Sequence, residues 1–230
     1  MMSNARSFNQ IDDAAAPEAS AWETAYLRFE TPGEEIRKFL RRFKRLGAER
    51  WPRDAQIVDL FCGRGSGLRA LERMGFRHLE GVDLSPRLLA EYGGPAKLYC
   101  CDCRRLTLAD ASRDIAVVQG GLHHLPQQPD DLDQTLREVR RILRPGGMFI
   151  AVEPWLTPFL RAVHVVAANP IARRLWSKLD ALQVMNENEM ETYAQWLNQP
   201  ELVLGCLRRY FEPERCWFRW GKLTFVGRRK

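Results

Sequence analysis

Between residues 55 and 154 short apolar runs alternate with amphipathic, capped segments, an order that few architectures accommodate. AQIVDLF (55–61), HLEGVDL (78–84), AKLYCCD (96–102), DIAVVQG (114–120) and GMFIAVEP (147–154) read as strands. SGLRALERMG (66–75) reads as a helix, and SPRLLAEYGG (85–94) as another, from a Ser-Pro start to paired glycines. DDLDQTLREVRRILRPGG (130–147) has an acidic start, a basic end and a Pro-Gly-Gly stop. Strands so continuously apolar are buried on both faces, which requires helices on either side of a parallel sheet. The expected fold is therefore α/β and doubly wound. Beyond residue 155 the pattern turns helical, with breaks at Pro158, Pro170 and Pro200. RCWFRW (215–220) and LTFVGRR (223–229) then flank a Gly-Lys turn (221–222) and predict an antiparallel hairpin. The sheet would be mostly parallel and seven-stranded.

Two helices are expected before the sheet. SAWETAYLRF (20–29) puts Trp22, Tyr26 and Phe29 on one face, and TPGEEIRKFLRRFKRLG (31–47) runs from Thr-Pro to Gly47. The units expected are a disordered tail (1–19), a helical lid (20–47), the core (48–154), a helical cap over the substrate (155–199), and a last helix with the hairpin (200–230). The net charge of +6 raises the question of an acidic partner. RKFLRRFKR (37–45) nevertheless reads as the solvated basic face of an amphipathic helix. The six cysteines follow no secretory pattern, so free thiols in a reducing cytoplasm are expected. CCDC (100–103) lacks a second Cys/His pair at zinc-like spacing, and no metal is expected there. No stretch reaches eighteen apolar residues, so no transmembrane segment is expected.

VDLFCGRGSGLRALERMGF (58–76) has the strand, glycine turn and helix of a nucleotide-binding loop. It has no Lys after its glycines, which excludes the phosphate loop of nucleoside triphosphatases. Gly63-x-Gly65-x-x-Leu68 lacks the third small residue of the dinucleotide fingerprint, although Asp83 stands twenty positions after Gly63, as a ribose-binding acid would. Asp59, inside the first strand, would oppose a pyrophosphate and favour an ammonium or sulfonium. Asp102 adds a third carboxylate at a strand end. Such a set suits a ligand with a ribose, an amino-acid group and a positive charge, and S-adenosyl-L-methionine meets that description.

With these residues in place, the chain resembles the class I S-adenosylmethionine-dependent methyltransferases, in the small-molecule branch that includes the quinone C-methyltransferase-like enzymes. VDLFCGRGSG (58–67), GVDLSP (81–86), CCDCRRL (100–106), DIAVVQGGLHHL (114–125) and LRPGGMFIAVEP (143–154) carry the resemblance. It implies that Asp59, Phe61 through its backbone, Gly63, Gly65 and Gln119 meet the methionine part. Asp83 would take the ribose, Leu84 the adenine face, Asp102 the adenine amino group and Cys103 the ring edge. Phe61 stands where the family usually has a glycine.

Methyl transfer from a sulfonium needs alignment and, for a protonated nucleophile, a base. His123, His124 and Glu153 follow strands four and five and are the candidate catalytic residues, with helix-start or capping roles as the alternative. Trp22, Tyr26, Trp155 and Phe159 are the candidate substrate contacts. A small-molecule acceptor, apolar or linked to lipid or sugar, is expected. QGGLHHLP (119–126) lacks the Pro-Pro-aromatic motif of nucleic-acid amino-methyltransferases. Protein or nucleic-acid methylation, and a non-catalytic partner subunit, remain alternatives. A monomer or homodimer is expected.

Overall fold

The computed structural model describes residues 20–230, and the tail expected over 1–19 lies outside them. The strands are β1 (Ile57–Leu60), β2 (Leu79–Asp83), β3 (Lys97–Cys100), β4 (Arg113–Gln119), β5 (Leu143–Pro154), β6 (Phe211–Arg219) and β7 (Lys222–Arg229). They form one sheet in the order β3-β2-β1-β4-β5-β7-β6. The first five run parallel, and β7 lies antiparallel between β5 and β6. The chain winds outward from β1 to β3 and then returns to β4 on the other side of β1. Such a reversal opens a crevice at the carboxyl ends of the strands.

Alternate residues of the strands feed two cores. Val58, Leu60, Ala116, Val118, Phe149 and Ala151 pack with α5 (Asp130–Ile142) and α10 (Pro200–Tyr210). Ile57, Ile115, Val117, Ile150 and Val152 pack with α2 (Pro32–Leu46) and α3 (Ser66–Arg73). In α2 the spacing of Ile36, Phe39, Phe43 and Leu46 makes one buried stripe. Thr31 and Glu34 close a capping box at its start, and Gly47 ends it at φ 84°. Fully burying a side chain such as Phe43 contributes about 1.5–3 kcal/mol, so this stripe fixes α2 to the sheet. Four further helices, α6 (Pro158–Ala168), α7 (Pro170–Leu175), α8 (Ser177–Asn188) and α9 (Met190–Asn198), form the cap, and α1 (Ala21–Phe29) packs on α8.

Several boundaries differ from those read in the sequence. The helix expected to reach residue 147 ends at Ile142, and β5 begins at Leu143, with a register shift between Arg113 and Ile115. The hairpin turn is Trp220-Gly221, both at positive φ (51° and 72°), which suits a tight two-residue hairpin; Lys222 already pairs with Arg219 and Pro154. The helix expected over 85–94 is only α4 (Pro86–Ala90). There the Tyr92 ring is drawn against Gly65, where a Cβ would lie 2.3 Å from the ring, and its hydroxyl bonds to Glu72 and the Ala96 amide.

Candidate cofactor and acceptor site

A cavity of about 790 Å³ occupies the crevice between the strand ends, α1, α2 and the cap. Its floor is built by period-two geometry. Asp59 and Gln119 share the α2/α3 face of adjacent strands, since Asp59 pairs with Val117 and Gln119 lies two residues on. The Asp59 carboxylate is 3% exposed and sits over Gly67, where a Cβ would meet it at 2.3 Å. Burial, then the Asp83 and Glu35 charges, push its pKa up to about 8. Asp83 accepts the Gly63 amide at 2.8 Å and the Ser85 amide at 2.9 Å, which ties the glycine turn to β2. Burial raises its pKa against those amides. Leu84 beside it is 62% exposed although it lines the cavity, an apolar side chain left uncovered by the described residues.

Sequence reading missed the basic side of this floor. Lys38 and Arg42 belong to the face of α2 expected to be solvated, yet both line the cavity. Arg42 donates to the Gln119 Oε1 at 2.7 Å, and burial lowers its pKa to about 10. The other end of that amide, Gln119 Nε2, is buried without a partner among the described residues, as is Trp22 Nε1. A buried donor left unpaired costs about 1–3 kcal/mol, so both donors favour a ligand that accepts their bonds. Two carboxyl groups opposite a guanidinium, an orphaned amide and an uncovered leucine fit an amino acid carrying a cationic sulfur, a ribose and an adenine. The residues present therefore fit S-adenosylmethionine.

Toward the cap, Phe159, Leu160, Val163, Leu182 and Met185 make an apolar wall. It ends at His123 and His124, in a single 3₁₀ turn after β4. The His123 Nδ1 lies 2.8 Å from Glu153 Oε2, while Glu153 Oε1 accepts the Gly121 and Leu122 amides at 2.9 and 3.1 Å. Burial and the neighbouring His124 lower the His123 pKa, so the neutral ring donates through Nδ1 and leaves the Nε2 lone pair facing outward. Burial also opposes charge on His124, but Glu189, 2.6 Å from its Nδ1, outweighs it and raises that pKa.

Of the expected cofactor residues, Asp59, Phe61, Gly63, Asp83, Leu84, Asp102 and Gln119 line the cavity. Asp102 is partly committed, since its carboxylate caps the Arg104 amide at 2.8 Å and pairs with the Arg104 guanidinium. Two others lie elsewhere. Cys103 is 3% exposed within the α5-side core, and Gly65 serves the turn at φ 74° against Tyr92. Trp22, Tyr26 and Phe159 line the cavity as expected of acceptor contacts, but Trp155 stacks on Phe218 at 5.0 Å, outside it. Glu153 is fully buried behind His123 and reaches the cavity only through that ring. The separation follows from the strand period: Gln119 and Val152 face α2, and Glu153 faces α5.

Comparison with known proteins agrees with this geometry. Residues 58–151 match the family described as methyltransferase domain. The chain is 35% identical over 133 residues to a ubiquinone/menaquinone biosynthesis C-methyltransferase of Rubrivivax gelatinosus, covering 54% of this chain and 50% of that protein. It is 36% identical over 93 residues to a malonyl-[acyl-carrier protein] O-methyltransferase of Dechloromonas aromatica, covering 40% and 34%. The chain spans about a third to a half of the length of such curated relatives. Among solved structures, a Pyrococcus horikoshii protein superposes with a TM-score of 0.69 at 19% identity, covering 92% of this chain and all of that one. A geranyl diphosphate C-methyltransferase of Streptomyces coelicolor, in complex with Mg²⁺, geranyl diphosphate and S-adenosyl-L-homocysteine, superposes at 0.61 with 14% identity, covering 94% and 85%. With its glycine turn, strand-end acids and reversed seventh strand, the chain carries a methyltransferase domain over residues 58–151 and has the fold of the class I S-adenosylmethionine-dependent methyltransferases.

Proposed function

We propose that the chain methylates a small-molecule acceptor seated in the apolar half of the cavity. The observation that carries this reading is the continuity of one cavity from the Asp59–Asp83 carboxylates to the His123–His124 pair. Its volume lies within the roughly 300–1,000 Å³ common for small-ligand sites. When bound, the cofactor supplies an electrophilic methyl group on a cationic sulfur. Asp59 faces the cationic methionine end, Arg42 and Gln119 Nε2 take the carboxylate, Asp83 takes the ribose hydroxyls, and Leu84 covers the adenine. The apolar wall holds the body of the acceptor. His123 and His124 hold its nucleophilic atom, and Glu153 fixes the His123 ring. Trp22 and Tyr26, stacked at 5.2 Å, close the cavity to water from α1. The relatives include C-, N- and O-methyltransferases, so likeness to them does not select carbon, nitrogen or oxygen as the acceptor atom.

An acceptor screen with methyl-labelled cofactor tests this reading. Apolar aromatic and acyl-bearing nucleophiles are expected to turn over with stoichiometric S-adenosylhomocysteine. Filling the wall with Val163→Trp is expected to raise KM for the acceptor at least about tenfold while S-adenosylhomocysteine affinity stays unchanged, since several kcal/mol of contact depend on that wall. An unchanged KM would place the acceptor elsewhere.

A further inference from the structure

We propose that His123, His124 and Glu189 form a binding site for a divalent transition-metal cation at the acceptor end of the cavity. A ring nitrogen of His123, a ring nitrogen of His124 and a carboxylate oxygen of Glu189 lie within 4.8 Å of one another. The His123 Nε2 stands 3.9 Å from Glu189 Oε2, and the His124 Nδ1 stands 2.6 Å from Glu189 Oε1. In the chain as it stands, Glu189 bonds His124 directly; a cation between the three groups would take its place. The outer nitrogens of both rings are already occupied. His123 Nδ1 donates to Glu153 at 2.8 Å, and His124 Nε2 donates to the Gly120 carbonyl at 3.2 Å. Ligating imidazoles are held in this way, one nitrogen on the metal and the other N–H on a carboxylate or a backbone carbonyl.

Charge leads to the same assignment. Glu153 is fully buried and the Glu189 side chain is 16% exposed, so two carboxylates converge on two imidazoles in a largely dry place. Once His124 gives up the proton that Glu189 favours on it, two imidazoles and two carboxylates are balanced by a cation of charge two. Two nitrogens and one oxygen suit zinc, manganese, cobalt or iron better than magnesium or calcium, which prefer oxygen. Three protein ligands leave at least one position open, the pattern of a catalytic rather than a structural site. All three ligands line the cavity, so that position falls to the acceptor. An acceptor oxygen bound there would be acidified, its proton passing to water, and presented to the methyl group. The site joins the core to the cap, since Glu189 lies at the junction of α8 and α9. This assignment rests on the acceptor seat proposed above.

The test is titration of chelator-treated full-length protein with Co²⁺, read by visible absorption, with Mg²⁺ as a control and S-adenosylhomocysteine affinity measured on the same samples. One equivalent of Co²⁺ is expected, with ligand-field bands and no thiolate charge-transfer band. Glu189→Gln and His124→Ala should each weaken binding by about a hundredfold, and Glu153→Gln by about ten- to a hundredfold through the His123 ring. S-adenosylhomocysteine affinity should persist in all three, which shows that they fold. Absence of stoichiometric binding overturns the assignment. So does a thiolate band that survives Glu189→Gln, since it would place the metal on the free Cys100 or Cys101 instead. Loss of S-adenosylhomocysteine binding by the unmodified protein would count against the methyltransferase reading alone.

Discussion

Phe61 adopts φ +55°, a conformation that costs a bulky residue of order 1–3 kcal/mol, in the turn where a glycine is usual. Its ring is accommodated by Gly121, where a Cβ would lie 2.3 Å from Phe61 Cγ. Gly121→Ala is therefore expected to destabilise the fold by about 1–3 kcal/mol in a denaturant melt, as overpacking does. A midpoint equal to the parent's would show that Phe61 swings aside freely. Asp59 gives a pH dependence. Its folded pKa, about 8, lies above the unfolded value of 3.8. The folded chain thus binds more protons between those values, and stability should fall as pH rises through that window. In the role proposed, Asp59 meets the cationic methionine end as an anion, so affinity for S-adenosylmethionine should rise with pH and level off above about 8, with proton release seen by calorimetry in two buffers. Asp59→Asn should abolish both trends, and a pH-independent affinity in the parent would contradict this role. Asp59 and Asp83 were legible in the sequence because strand-end acids beside a glycine turn form a local pattern. Gly121 and Arg42 were not, since each acts on a residue that is distant in sequence and adjacent only across the sheet.

The element proposed as a lid is α1, whose Trp22, Tyr26 and Phe29 line the cavity. The Tyr26 hydroxyl donates to Glu35 at 2.9 Å, and Glu35 pairs with Arg64 at 2.8 Å with both side chains about 5% exposed or less. Removing one partner of such a pair leaves a buried charge, so Arg64→Ala should cost about 3–5 kcal/mol in a melt. A cost under about 1 kcal/mol would mean that water relieves Glu35. The outer fastening of α1, Arg28–Asp180, is exposed at 49% and 31% and subject to screening. Raising ionic strength from about 0.05 to about 0.5 M should therefore speed S-adenosylhomocysteine dissociation in stopped flow, and a salt-independent rate would contradict a lid held by charge. The elements themselves followed from capping and periodicity, as with Thr31 and Gly47 around α2. The faces of α2 were only half legible. Its apolar stripe was clear, but whether a flanking cation meets solvent or a cavity depends on what packs over it, here α1 and the cap.

At the scale of the molecule, the order of strands and helices was enough to expect a doubly wound sheet with a reversed last strand, because few other arrangements bury such strands. The cavity's polar end was not legible as a unit. His123 and His124 come from the sheet and Glu189 from the cap, sixty-five positions after His124, and no local spacing links them. On the reading proposed, the cap decides what enters the cavity, while the sheet decides which cofactor lies beneath. The second statement is the central one, and calorimetric titration with S-adenosylmethionine, S-adenosylhomocysteine and NAD in parallel tests it most directly. The expected result is micromolar binding of both sulfur nucleotides, no binding of NAD, and loss of about tenfold or more in Asp83→Ala, as removal of charge-assisted bonds to a ribose entails. Preference for NAD, or silence with both sulfur nucleotides, would contradict it.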